Sequence, residues 1–265
     1  MAVYTHGQHD SVVRSHRWRT AENSAGYLIP HLRTGATVLD LGCGSGSITA
    51  DLAALVTPGR TIATDLSPQA LAHARSIVAD RGLTTVDFAL ADVLSLPYSE
   101  GAVDVVHAHQ VLQHLADPVA ALREMRRVCR RGGIVAVRDA DYEAMTWYPA
   151  ARALDEWLML YRTVARRNGG EPDAGRRLLS WARQAGFTDV ICSASVWCFA
   201  TTADREYWGG TWADRTTQSA IAEQAVSYGY ATRDDLARIA DGWRAWAHAP
   251  DGWFAVLHSE ILCRV

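Results

Sequence analysis

Asp40, Gly42, Gly44 and Gly46 fall inside one run, "VLDLGCGSGSITADLA" from Val38 to Ala53, in which an apolar segment meets a carboxylate, turns through alternating glycines and resumes with a helix-like pattern. A strand that turns through glycines into a helix brings backbone amides to the carboxyl edge of a sheet, where ligands of such sheets bind. Glycine tolerates positive φ, and without a Cβ it lets a ligand approach the main chain. The dinucleotide fingerprint would want Gly or Ala where Ser47 stands, so that motif is incomplete. A carboxylate just ahead of the glycines would repel a pyrophosphate but attract an ammonium group. The ligand implied is a nucleoside with a cationic amino-acid tail, and the alternative for the glycines is a tight turn without a ligand.

Further groups able to do chemistry follow at strand-like intervals. Asp65 and Leu66 end "TIATDL", Asp92 and Val93 close "ALADV", and His109, Gln110 and His114 lie in "HAHQVLQH". Asp65 could instead cap the helix starting at Pro68, although Ser67 suits that cap better; Asp92 could be an ordinary loop acid. For proton transfer the candidates are His109 and His114, Asp139 and Asp141 in "RDAD", and Tyr4, His6, His9 and His16 near the start. His109 has the best position among them.

These residues need a scaffold, and the pattern supplies one. From Val38 to Asp141 short runs rich in Val, Ile and Leu alternate with helix-like stretches, as expected for a parallel sheet buried between helices. Ser67-Pro68 and Asp117-Pro118 pair a cap residue with a first-turn proline. "REMRRVCRR", Arg123 to Arg131, reads as the solvated face and last turn of a helix. "SHRWRTAENSAGYLIPHL" reads as an amphipathic N-terminal helix. After Asp141 the pattern becomes mostly helical, broken by a strand in "FTDVICSASVWCFA" and closed by a final strand in "GWFAVLHSEILCRV". The expectation is a Rossmann-like α/β fold: a seven-stranded, mainly parallel sheet with helices on both faces and a helical lid insertion. Its parts would be a helical cover segment (1–34), a ligand-binding core (35–201), the lid (202–250) and a last core strand (251–265).

"VLDLGCGSG" resembles the first motif of class I S-adenosylmethionine-dependent methyltransferases, and the later motifs agree in order and spacing from Arg19 to Gly186. "HAHQVLQHLADPVAALREMRRVCRRGG" is similar to the segment found in small-molecule methyltransferases related to the ubiquinone and menaquinone enzymes. The resemblance implies S-adenosylmethionine as cofactor and S-adenosylhomocysteine as product. It assigns to cofactor binding Arg19, Asp40, Gly42, Cys43, Gly44 and Gly46, then Asp65 on the ribose with Leu66 at the adenine, Asp92 on the adenine amino group with Val93 beside the ring, and His109 and Gln110 on the methionine and sulfonium side. Asn23 could face the carboxylate end with Arg19. Some catechol methyltransferases place a magnesium ion where "RDAD" stands; the acid they need from the fourth strand is replaced by "HAHQ", so no metal is expected.

The chemistry then implied is alignment of an acceptor behind the sulfonium methyl, with water excluded. His109 is the catalytic candidate, and His16, Trp18, His114, Tyr207, Trp208 and Trp212 are the candidates for substrate contact. The aromatic residues of the lid, Trp246 among them, either wall an apolar acceptor pocket or form the lid's own core, and the sequence favours neither. The function expected is methyl transfer to a small, largely apolar or aromatic molecule in secondary metabolism. A non-catalytic S-adenosylmethionine sensor or scaffold, and a nicotinamide-dependent oxidoreductase disfavoured by Asp40 and Ser47, stand as alternatives.

Composition narrows the remaining classes. The chain of 265 residues is 49% hydrophobic and 21% charged, with a formal net charge of -3, and every basic residue is Arg. Those arginines are interspersed with acids, so no nucleic-acid footprint is expected. The polar start and the lack of a long apolar run argue for a cytoplasmic protein without membrane insertion. Five cysteines without a Cys-x-x-Cys pair read as small core residues in a reducing compartment. A homodimer is left open.

Overall fold

The computed structural model describes Thr5 and residues 18–265. Strands β1 (Val38–Leu41), β2 (Thr61–Asp65), β3 (Val86–Leu90), β4 (Val103–His109) and β5 (Cys129–Ala140) are parallel and lie in the order β3-β2-β1-β4-β5. Helices α1 (Ala21–Ala25), α2 (Ser47–Val56), α3 (Pro68–Asp80) and α4 (Pro118–Val128) lie among them in sequence. The last strand, β8 (Trp253–Arg264), runs antiparallel between β5 and β7 (Asp189–Phe199). A three-residue strand, β6 (Thr146–Tyr148), pairs with the start of β8 and makes eight strands where the pattern suggested seven. Three residues carry too little alternation to be read as a strand.

Period-two alternation sends side chains to opposite faces of this sheet. Val135 and Val137 pack with α4 and α6 (Leu178–Gln184), while Ile134 and Ala136 pack with α1 and α2. A third cluster holds most of the tryptophans: α5 (Arg152–Arg167), α7 (Thr202–Gln218), α8 (Ala220–Ser227) and α9 (Arg233–Ala247) bury Trp157, Trp212, Trp243 and Trp246 against Phe254 of β8. Helices α7 to α9 are inserted between β7 and β8, and α5 packs with them.

Three local expectations are corrected. Helix α4 ends at Val128, and Cys129 to Gly133 belong to β5: Cys129 already pairs with Val103, and a Cβ on Gly133 would lie 2.6 Å from the Asp104 carbonyl and the Cys129 sulfur, a contact tight enough to require glycine. Among the described residues of the expected N-terminal helix, Ala21–Ala25 are helical, because Thr20 caps them in a capping box with Asn23 and Pro30 then turns the chain into a short 3-10 segment. Trp18 and Arg19 therefore precede the helix. Cys129 and Cys263 are buried, but Cys192 and Cys198 are exposed, since among the described residues β7 is an edge strand paired with β8 alone. Among the described residues no helix is long and apolar enough to cross a membrane.

Candidate functional site

A cavity of about 500 Å³ opens at the carboxyl ends of the parallel strands, where the order reverses between β1 and β4. This is the position at which doubly wound sheets hold ligands. Its first half is built by β1, β2 and β3 and the turns that follow them. Gly42, Gly44 and Gly46 have φ of 65°, 54° and 83°, a left-handed path that side chains rarely take. That path aims the Gly44 amide at Asp65 Oδ2 (3.0 Å), while Ser67 N donates to Oδ1 (2.9 Å). Burial raises the Asp65 pKa and these amides oppose the rise, so the carboxylate is fixed at the cavity wall by the same turn that opens it.

Asp40, Cys43, Leu66, Asp92 and Val93 line the same half. Asp92 Oδ1 accepts from Leu94 N at 2.9 Å, which ties its loop. Asp40 is 3% exposed and doubly engaged: its Oδ1 lies 2.7 Å from His107 Nδ1, its cross-strand neighbour, and its Oδ2 accepts from Thr49 Oγ1 at 2.5 Å. Burial pushes the Cys43 thiol well up, which makes it inert wall rather than nucleophile. Gly46 does not line the cavity. A Cβ there would sit 2.6 Å from Ala74, so this glycine serves the close approach of α2 to α3.

The second half is built by β4 onward. His109, Gln110 and His114 line it, joined by Arg19. Gln110 has φ 54°, uncommon for a residue with a side chain, and is held there by three contacts: its N donates to Arg138 O (2.7 Å), its Oε1 accepts from Arg19 Nη2 (2.7 Å) and its Nε2 meets His258 Nε2 (2.9 Å). His109 is 6% exposed and packs beside the adjoining Trp197 and His258 rings, with centroids 5.6 and 6.0 Å away, and among the described residues neither of its ring nitrogens has a hydrogen-bond partner. Burial, then Arg19 and Arg138, drive its pKa well below the usual histidine value; His114 is lowered to about 4 by burial and Arg19. Both rings are neutral near pH 7 and are weak bases.

Trp208 and Trp212 line the cavity and also belong to the lid's core, stacked on Phe199 at 4.2 Å and on Trp243 at 6.1 Å. The two readings of the lid aromatics thus hold at once for this pair, whereas Trp246 packs away from the cavity and donates its indole N–H to Tyr148 O at 3.1 Å. Trp18 and Tyr207 do not line the cavity: Trp18 packs on Trp197, Phe199 and Tyr207. Asn23 is spent on capping and on the Trp18 carbonyl. His16, with Tyr4, His6 and His9, lies outside the described residues.

Asp141 and Asp139 have structural partners. Arg176 donates to both oxygens of Asp141 at 2.6 and 2.8 Å. Asp139, raised to about 8 by burial, accepts from Gln113 N at 3.2 Å and so supports the turn carrying His114.

Residues not singled out from sequence complete the wall: His107, Tyr142, Met145, Trp197, Arg215 and Val256. Arg215 was findable, since 208, 212 and 215 share one face of a helix. Trp197 and Val256 are brought in only by the pairing of β7 with β8.

A family model described as a methyltransferase domain matches residues 32–186. An uncharacterized methyltransferase of Schizosaccharomyces pombe is 31% identical over 270 residues, spanning 98% of this chain and 95% of that protein. A demethylmenaquinone methyltransferase of Lactococcus lactis is 31% identical over 171 residues, 59% of this chain and 68% of that one. Among solved structures, the YcgJ protein of Bacillus subtilis superposes with a TM-score of 0.56 at 19% identity, covering 90% of this chain and 97% of its own.

Proposed function

This chain belongs to the class I S-adenosylmethionine-dependent methyltransferases, and on that premise we propose that it methylates a small, largely apolar or aromatic molecule of secondary metabolism, holding cofactor and acceptor in the two halves of one cavity. The observation that carries the reading is the division of the cavity wall: a glycine turn with Asp40, Asp65 and Asp92 on one side, and Met145, Trp197, Trp208 and Trp212 on the other. The first half suits the cofactor, because Asp65 presents a carboxylate to ribose hydroxyls and the left-handed turn leaves no Cβ between ligand and main chain. S-adenosylmethionine, when bound, supplies an electrophilic methyl group with its own leaving group.

What remains for the protein is to orient the acceptor and keep water away, tasks suited to the aromatic walls and the lid helices over them. His109 borders the place where acceptor and cofactor meet, but its depressed basicity favours a positioning part. His109→Ala is accordingly expected to lower kcat by less than about tenfold, where loss of a general base would cost roughly 10²–10⁴. Steady-state kinetics with the natural acceptor measure this. The acceptor itself is to be found by incubating the enzyme and labelled S-adenosylmethionine with extracts of the source organism and identifying the labelled product by mass. Failure to label any small molecule, with cofactor binding intact, would favour the non-catalytic alternative.

A further inference from the structure

We propose that the acceptor is an acidic phenol or enol bound as its oxyanion against Arg215, and that the methyl group goes to that oxygen. The proposal rests on the methyltransferase reading above. It starts from how charge is distributed around the cavity: Asp40, Asp65 and Asp92 stand in the half built by β1 to β3, whereas among the described lining residues from β4 onward the charged side chains are Asp117, which caps α4 by accepting from Ala120 N, and the Arg215 guanidinium. Arg215 is 3% exposed and lies over the Trp212 ring, 5.0 Å from its centroid. Arg19, which lines the cavity from the N-terminal side, adds a second guanidinium, and both act on the buried Tyr142 phenol.

A guanidinium in a wall of low polarity attracts an anion far more strongly than it would in water. It has five donors, so a partner within the protein does not prevent it from also holding a ligand oxygen. The Trp208 and Trp212 rings beside it, set nearly edge to face, offer an aromatic wall that suits an aromatic or conjugated body carrying that oxygen.

The same arrangement answers where the acceptor's proton goes. His109 and His114 are both too weakly basic to hold one near neutral pH. An acceptor that arrives ionised needs no base. Its oxyanion electron pair forms the new bond to the methyl carbon, the pair of the carbon–sulfur bond stays with sulfur, and phenolate plus sulfonium become a neutral ether and a neutral thioether with no proton released. Opposite charges that are partly neutralised together in the transition state also gain from a site that excludes water.

The probe is 4-nitrophenol, whose ionisation is read directly from its visible absorbance, titrated into the protein saturated with S-adenosylhomocysteine. The bound phenol is expected to ionise at least about one pH unit below the free phenol, a tenfold bias toward the anion. Arg215→Gln should abolish that shift, and Arg215→Lys should retain part of it. Calorimetry with S-adenosylhomocysteine on each protein tests the underlying reading separately: no binding by the wild type defeats the methyltransferase premise. Cofactor binding together with a phenol that stays neutral, that does not bind, or that shows an undiminished shift in Arg215→Gln overturns this proposal. Should Arg215→Gln fail to fold, the wild-type shift and its reduction in Arg215→Lys decide the question, and absence of either overturns it.

Discussion

Asp65→Ala is expected to weaken S-adenosylhomocysteine binding by about 1.5–3 kcal/mol, roughly 10- to 150-fold, in a protein that still folds. The range is that of hydrogen bonds to a charged group, because Asp65 would accept from the ribose hydroxyls with a carboxylate already oriented. That orientation comes from Gly44 N and Ser67 N, which hold one oxygen each. Part of the loss will therefore come through the turn, which gives up the anchor for its central amide. Asp65→Asn keeps one acceptor in place and should lose less. Calorimetric titration of both variants gives the comparison, and unchanged affinity in a folded Asp65→Ala protein would remove this residue from the ribose site.

Arg138→Met should destabilise the fold by about 3–5 kcal/mol, the usual consequence of leaving a buried charge without its partner. Arg138 is 1% exposed and Glu260 5%, on neighbouring strands β5 and β8 with Arg138 Nε 3.2 Å from Glu260 Oε1. Ser193 and Ser195 of β7 donate to the same carboxylate. Burial lowers the Arg138 pKa to about 10, which still leaves it charged at neutral pH, and its guanidinium lies 4.9 Å from the Trp197 ring that lines the cavity. The pair thus ties three strands under the acceptor half of the site. A double replacement, Arg138→Met with Glu260→Leu, removes both charges and should recover most of the lost stability. Urea unfolding of the two variants tests this, and a single replacement costing under about 1 kcal/mol would show that the pair is not isolated from water.

The glycine turn and the acids that follow it were legible in the sequence because each depends on neighbours in the chain. Left-handed backbone at Gly42, Gly44 and Gly46, Ser67 capping α3 with Pro68 in its first turn, and Asp117 capping α4 are local events, and their signals are adjacent residues. Buried parallel strands were also legible, since a strand covered on both faces is apolar throughout. The cofactor half of the cavity is made almost entirely of such segments.

The acceptor half is not, for a physical reason. Strand β8 returns antiparallel from the end of the chain and carries Glu260 and His258 to Arg138 and Gln110, partners 122 and 148 residues away. Nothing local sets that register; it is chosen by how the two faces of the whole sheet are covered. The apolar runs read as buried strands also contain polar Asp40, His107 and Arg138, whose partners the runs do not specify, and only the pairing of β1 with β4 turned Asp40 toward His107. The aromatic residues were ambiguous because a tryptophan that packs a helix and one that walls a ligand obey the same spacing. Tertiary packing separated them, sending Trp18 and Tyr207 into a ring cluster in which Trp18 meets Trp197 edge-on, while setting Trp208, Trp212 and Arg215 at the cavity.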